Sequence, residues 1–191
     1  MKTLPILLAT VVSLFAFSQA QANDLEIGLS SETGQLTVRS DSGIIGWGGA
    51  DLAFSLLYND KNDIVGQISL LQSRQASEGA PLTFGVGVRG YVGRLDSLDN
   101  NVLAFGIGGE IRYTIPGVMP MAIYLQGHYA PKITSFSDTE SMTDLLLRYQ
   151  IEILPQTVAF AGIRQLEVVS QSAKIYDVDD NRLHFGVRFT Y

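Results

Sequence analysis

An all-β, closed antiparallel up-and-down transmembrane β-barrel is the fold this sequence predicts, and three observations predict it. The last ten residues, RLHFGVRFTY, alternate strictly: Leu183, Phe185, Val187, Phe189 and Tyr191 on one face, Arg182, His184, Gly186, Arg188 and Thr190 on the other. A strand sends successive side chains to opposite faces, so one face is apolar and the other charged. The same alternation recurs along the chain, with charge confined to one face. Residues 1–22 read as an export signal: Lys2, a mostly apolar run over residues 6–17, then Ala20-Gln21-Ala22 as a cleavage site. That run is about 12 residues, against roughly 20 for a spanning helix.

The expected organisation is therefore a cleaved signal peptide, 1–22, and one barrel domain, 23–191. The mature chain has 169 residues (191 minus 22), enough for one domain. There is no cysteine, so neither a disulfide nor a thiolate metal site holds the fold. The formal net charge of −6 excludes the basic footprint of a nucleic-acid binder. Many of the 19 glycines sit inside strand-like stretches such as FGVGVRGYVG and AFGIGGEIRY. A narrow lumen crossed by Arg and Tyr side chains leaves little room at neighbouring inward positions, which gives those glycines a steric reason.

In chain order, residues 23–40 hold two short alternating runs, Leu25, Ile27, Leu29 and then Leu36, Val38. Trp47 lies in a turn-rich segment where it suits either an interfacial belt or packing at the barrel base. Alternation then runs through 50–58 and 82–91. Between them residues 64–74 are disturbed by the adjacent Leu70 and Leu71, which a bulge would explain. Residues 103–115, 119–129 and 145–153 alternate cleanly, whereas 157–170 shows no single clean face. Turns alternate between short ones (77–81, 116–118, 154–156) and longer polar ones (93–101, 131–141, 171–181), the asymmetry of an outer-membrane barrel. Counting back from Tyr191 gives eight strands after residue 49. The two short runs at 23–40 make ten, the favoured number, with eight as the alternative if that segment stays outside the wall or plugs it.

The inward set collects Asp51, Arg89, Glu110, Arg112, Arg148, Glu152, Arg182 and Arg188, intolerable in a dry core unless paired. Glu110 with Arg112, Arg89, and Arg148 with Glu152 are expected to cross-link a narrow interior. Such a barrel is structural or at most a narrow channel. The weak catalytic candidates are His128, Asp144 and His184, expected inward near the outer rim. They lack a nucleophile and a third orienting group. Two histidines on separate strands form no metal motif, and no cofactor is expected. A soluble periplasmic lipid-binding barrel is the rival reading, and its interior should be apolar.

The segments LEIGLSSETG, GVGVRGYVG, LAFGIGGEIRY, MAIYLQGHYAP and the terminal GVRFTY resemble the YfaZ family of small Gram-negative outer-membrane β-barrel proteins. The resemblance implies an outer-membrane location and no active-site residue. The terminal strand (Leu183, Phe185, Val187, Phe189, Tyr191) is similar to the signal read by the barrel-assembly machinery. That machinery, periplasmic chaperones during export and outer-membrane lipids are the expected partners; nucleic acid is not. A hydrolase using His128 is the enzymatic alternative. Barrel lipid A deacylases place a serine two positions after their histidine, and here that position is Ala130.

Overall fold

The computed structural model describes residues 23–45, 48–171 and 174–191. The expected signal peptide and Trp47 lie outside the described residues. Eleven strands follow in order: β1 (Asp24–Leu29), β2 (Thr33–Asp41), β3 (Asp51–Asn59), β4 (Ile64–Gln75), β5 (Leu82–Leu95), β6 (Asn100–Ile115), β7 (Met121–Ala130), β8 (Ser135–Ser137), β9 (Thr139–Leu154), β10 (Thr157–Ser170) and β11 (Ile175–Thr190). Each pairs antiparallel with its neighbours, and the sheet closes where β1 meets β11, from Asp24↔Thr190 to Leu29↔Phe185. Ten strands make the wall. The three-residue β8 pairs with β6 through Val102↔Ser137 to Ala104↔Ser135, and covers the place where β7 has ended.

The structure selects ten strands over eight: both short amino-terminal runs are wall strands, joined through Leu25↔Val38 and Ile27↔Leu36. Closure also disposes of sheet edges, whose unpaired amides lipid would not tolerate. The outer face is apolar around the circumference. Ile27, Phe54, Ile68, Val86, Ile107, Leu125, Leu147, Ile163 and Phe185, from nine different strands, all point out and are exposed.

Three local expectations change. No bulge follows Leu70 and Leu71: β4 keeps one register against both neighbours, Leu71 turns inward and Leu70 outward. The register shifts fall instead in β10, between Arg164 and Leu166 against β11 and at both ends of its pairing with β9. The long polar loops are largely strand. β5 runs to Leu95, β6 starts at Asn100, and β11 starts at Ile175, so only short connections remain. Polar side chains suit a strand that continues beyond the apolar band, where its outer face meets water.

β10 shows this change of surroundings within one strand. Near its start Ala159, Ala161 and Ile163 face out and Arg164 faces in. Further on Gln165 and Glu167 face out while Leu166 and Val168 are buried inside. The outer face therefore changes from apolar to polar, while the inner face runs through Phe160 and Arg164 and ends in Leu166 and Val168.

Candidate functional site

The candidate site is the lumen, which has two zones. At the end opposite the termini, Leu57, Val65, Leu95, Val102, Met142, Leu166, Val168 and Val178 form a buried apolar cluster. Tyr91, Ala104 and Ala130 complete it, so β3 through β7 and β9 through β11 all contribute. This layer packs as an ordinary hydrophobic core does.

Beneath it lies a layer of ion pairs centred on Asp144, whose side chain is 1 % exposed. Arg164 approaches Asp144 bidentately, Nε to Oδ1 at 3.1 Å and Nη2 to Oδ2 at 3.0 Å. Arg89 Nη1 donates to Oδ2 at 2.8 Å, and the Tyr91 hydroxyl reaches the same oxygen at 3.3 Å. Two further guanidinium donors find glutamines: Arg164 Nη1 bonds Gln35 Oε1 at 2.6 Å, and Arg89 Nη2 bonds Gln126 Oε1 at 2.7 Å. One carboxylate thus ties β5, β9 and β10 together, and the glutamines extend the tie to β2 and β7.

A second group sits nearer the termini. Arg148 Nη1 donates to Glu26 Oε1 at 2.6 Å, its Nε donates to His184 Nε2 at 3.1 Å, and its guanidinium lies 4.1 Å from the Phe160 ring centroid. Arg39 reaches Glu26 Oε2 at 3.4 Å. Glu110 accepts from Ser73 at 2.9 Å and from the Tyr124 hydroxyl at 2.5 Å. Around these groups is a polar cavity of 350 Å³ whose lining extends to Asp24, Ser40, Asp41 and Asp51 at the strand ends beside the termini.

The residues expected to cross-link the lumen are distributed otherwise. Arg89, Glu110, Arg112, Arg148 and Arg188 face the cavity. Arg148 pairs with Glu26 across the lumen and not with Glu152, which shares its strand and lies outside the cavity lining. Residues four apart on one strand are too widely spaced to meet as readily as residues on facing walls. Arg112 has no carboxylate within ion-pair distance among the described residues, because Glu110 is engaged by Ser73 and Tyr124. Asp51 is exposed at the cavity mouth. Arg182 leaves the lumen altogether and pairs with Glu32 at 2.7 Å on the far rim.

His128 and Asp144 are register partners on β7 and β9, but the carboxylate is saturated by arginines and neither His128 nitrogen has a partner. Both histidines are buried inside the wall and not placed at the rim. No group of three or more His, Cys, Asp or Glu among the described residues could hold a metal ion. Sequence reasoning missed Glu26, Arg39 and Arg164 as members of the lumen network. Glu26 and Arg39 do alternate with apolar neighbours, a usable signal once β1 and β2 are in the wall. Arg164 sits where the outer face of β10 changes from apolar to polar.

The β3–β4 turn seals one side of the far end. Asp63 is fully buried there, accepting from Asn59 Nδ2 at 2.8 Å and from the Tyr176 hydroxyl at 2.6 Å. Asn59 also donates to the Val178 carbonyl at 3.2 Å, which fastens the turn to β11. Tyr176 belongs to the part of β11 beyond the apolar band, and burial, with the bond to Asp63, pushes its hydroxyl up to about 12. The protonated, bonded form is favoured, so its contribution is complete below the unfolded value of 10.0 and is lost as pH rises through about 12. Y176F is expected to cost about 1 kcal/mol. Amide exchange should quicken around Asp63 and Val178 and stay unchanged at the β1–β11 seam; equal protection at both places in the variant would contradict the clasp.

A closed wall, apolar outside and charged within, defines the class of membrane-spanning β-barrels. No protein-family model matches the chain, and no curated protein matches it. Among solved structures it is similar to the outer membrane channel DcaP of Acinetobacter baumannii, at 9% identity and a TM-score of 0.43, over 87% of this chain and 54% of that one. It is also similar to an anion-selective porin from Comamonas acidovorans, at 12% identity and a TM-score of 0.34, over 83% of this chain and 49% of that one. The chain spans about half the length of both. Likeness this loose carries nothing about solute or activity, and the barrel stands on its own strand pairing. The YfaZ resemblance remains a likeness of segments without a family model behind it.

Proposed function

We propose that this protein is an outer-membrane β-barrel that does not conduct: a blind cup, open to the periplasm through its polar cavity and closed toward the outside. The apolar cluster lying over the Asp144 ion pairs carries this reading, because it draws buried side chains from β3 through β7 and β9 through β11 into the lumen. Outer-membrane residence is supported by the apolar girdle and the export signal read in residues 1–22. The short turns at the terminus end favour a periplasmic position for both termini. Lipid on the outside and the barrel-assembly machinery acting on the terminal strand follow from the same reading. Leu183, Phe185, Phe189 and Tyr191 supply an exposed apolar row for that strand.

A soluble lipid carrier would need an apolar interior through most of its height and a polar exterior, the reverse of this wall. A hydrolase at His128 would need a nucleophile within reach of an activated histidine; Ala130 stands at the expected serine position and Asp144 is committed to arginines. Purified barrel added to a planar bilayer should insert without stable conductance steps. Steady openings from folded protein would contradict the blind cup and restore a channel role.

A further inference from the structure

The polar cavity contains more hydrogen-bond donors than the protein itself uses. Six arginines and six carboxylates line it, so the count is formally balanced, but the partners are not. Glu26, Glu110 and Asp144 are consumed by the pairs described above. Asp41 accepts from the backbone amides of Gly43 and Gly49, at 2.7 and 3.2 Å. Arg112 is left without a carboxylate. Arg188 has only Asp24, with Nε 3.7 Å from Oδ2, while the other oxygen of Asp24 accepts from Thr190 at 2.6 Å. Arg39, which pairs with Glu26, the register partner of Arg188, and Arg112 line the same cavity.

Among the buried lining atoms without a hydrogen-bond partner donors outnumber acceptors: Nε of Arg89 joins three further donors, against Oε2 of Glu26 and Oε1 of Gln150. Nε of Arg112 and Nε of Arg188 are buried without a hydrogen-bond partner, as is Nε2 of Gln67, a residue only 7 % exposed. All three residues line the cavity and all three atoms are donors. A buried donor without an acceptor costs about 1–3 kcal/mol, and guanidinium forks match the geometry of oxyanions. Asp51 at the mouth is the opposing charge; it is exposed, where water screens it.

We propose that the cavity is a binding site for a small polar solute bearing an oxyanion of phosphate type, held by Arg112 and Arg188 with Arg39 beside them. This rests on the periplasm-facing cup, since the solute enters at the terminus end. The occupant is a soluble oxyanion, because the wall at this level is continuous and offers a lipid headgroup no lateral entry.

The test is a titration of the folded barrel in detergent micelles with inorganic phosphate and with glycerol phosphate, following the guanidinium Nε–H signals of Arg112 and Arg188. A saturable shift is expected with both probes and not with chloride at matched ionic strength. R112Q and R188Q, checked for folding by heat-dependent gel mobility, should each weaken binding at least tenfold. No saturable shift in the wild type, an equal response to chloride, or full binding in both folded variants would overturn the site. The wild-type titration decides by itself if either variant does not fold. Failure here in a non-conducting barrel removes the oxyanion site alone, whereas stable conductance removes the blind cup first.

Discussion

Replacing Asp144 by alanine is expected to lower the stability of the folded barrel by about 3–5 kcal/mol, because it leaves buried charge without its partner. Asp144 is the carboxylate shared by Arg89 and Arg164, whose side chains are 11 % and 4 % exposed. Without it the two guanidiniums face each other with only Gln126 and Gln35 as neutral acceptors. D144N should recover part of the loss, since it restores an acceptor without the charge. The measurement is the urea midpoint at which the compact, heat-modifiable gel form disappears. An unchanged midpoint in D144A would mean that the ion-pair layer contributes nothing to holding the wall.

Gly186→Val is expected to be the next most damaging change, while Gly28→Ala, directly across the β1–β11 seam, should be nearly neutral. The two glycines are register partners and both face Phe160. A Cβ on Gly28 would meet the Phe160 ring at 3.6 Å, an ordinary contact. A Cβ on Gly186 would run into the Phe160 ring and the Ile27 carbonyl oxygen, which is backbone of the partner strand and cannot rotate away. Overpacking of this kind costs about 1–3 kcal/mol or more. Here it falls on a seam of only six residue pairs, as short as any pairing in the wall. Folded yield and urea midpoint should fall for G186V and hold for G28A; equal behaviour of the two would contradict the packing.

Those glycines also show what could be read in the chain. The argument that inward glycines make room for large lumen side chains needs only alternation, and it holds where Gly162 lies against Arg148 and Gly108 against His128. Strand existence, face and parity were legible for the same reason: in the apolar band every second residue meets lipid and the rest meet charge. The far end was not legible, because there the interior becomes apolar and the exterior polar. Arg164 is followed at once by Leu166 and Val168 on the same face, so β10 looked faceless and its arginine was missed.

Pair identity was illegible for a different reason. Which carboxylate an arginine meets across a lumen depends on barrel closure and stagger, and neither is a property of any one strand. Arg148 and Glu26 are 122 residues apart. Nothing local distinguishes that pairing from the nearer Glu152. Polar composition likewise suggested loops where β5, β6 and β11 continue as paired strands.

One-sided access to the lumen is the central claim, and the absence of cysteine from the chain makes it directly measurable. Ser69 lines the cavity, so S69C places a single thiol inside. A membrane-impermeant thiol reagent should label S69C when applied from the terminus side, in spheroplasts or through a permeabilised outer membrane, and should leave it unlabelled when applied to intact cells. Equal labelling from both sides in a folded barrel would show a path past the apolar cluster and contradict the account.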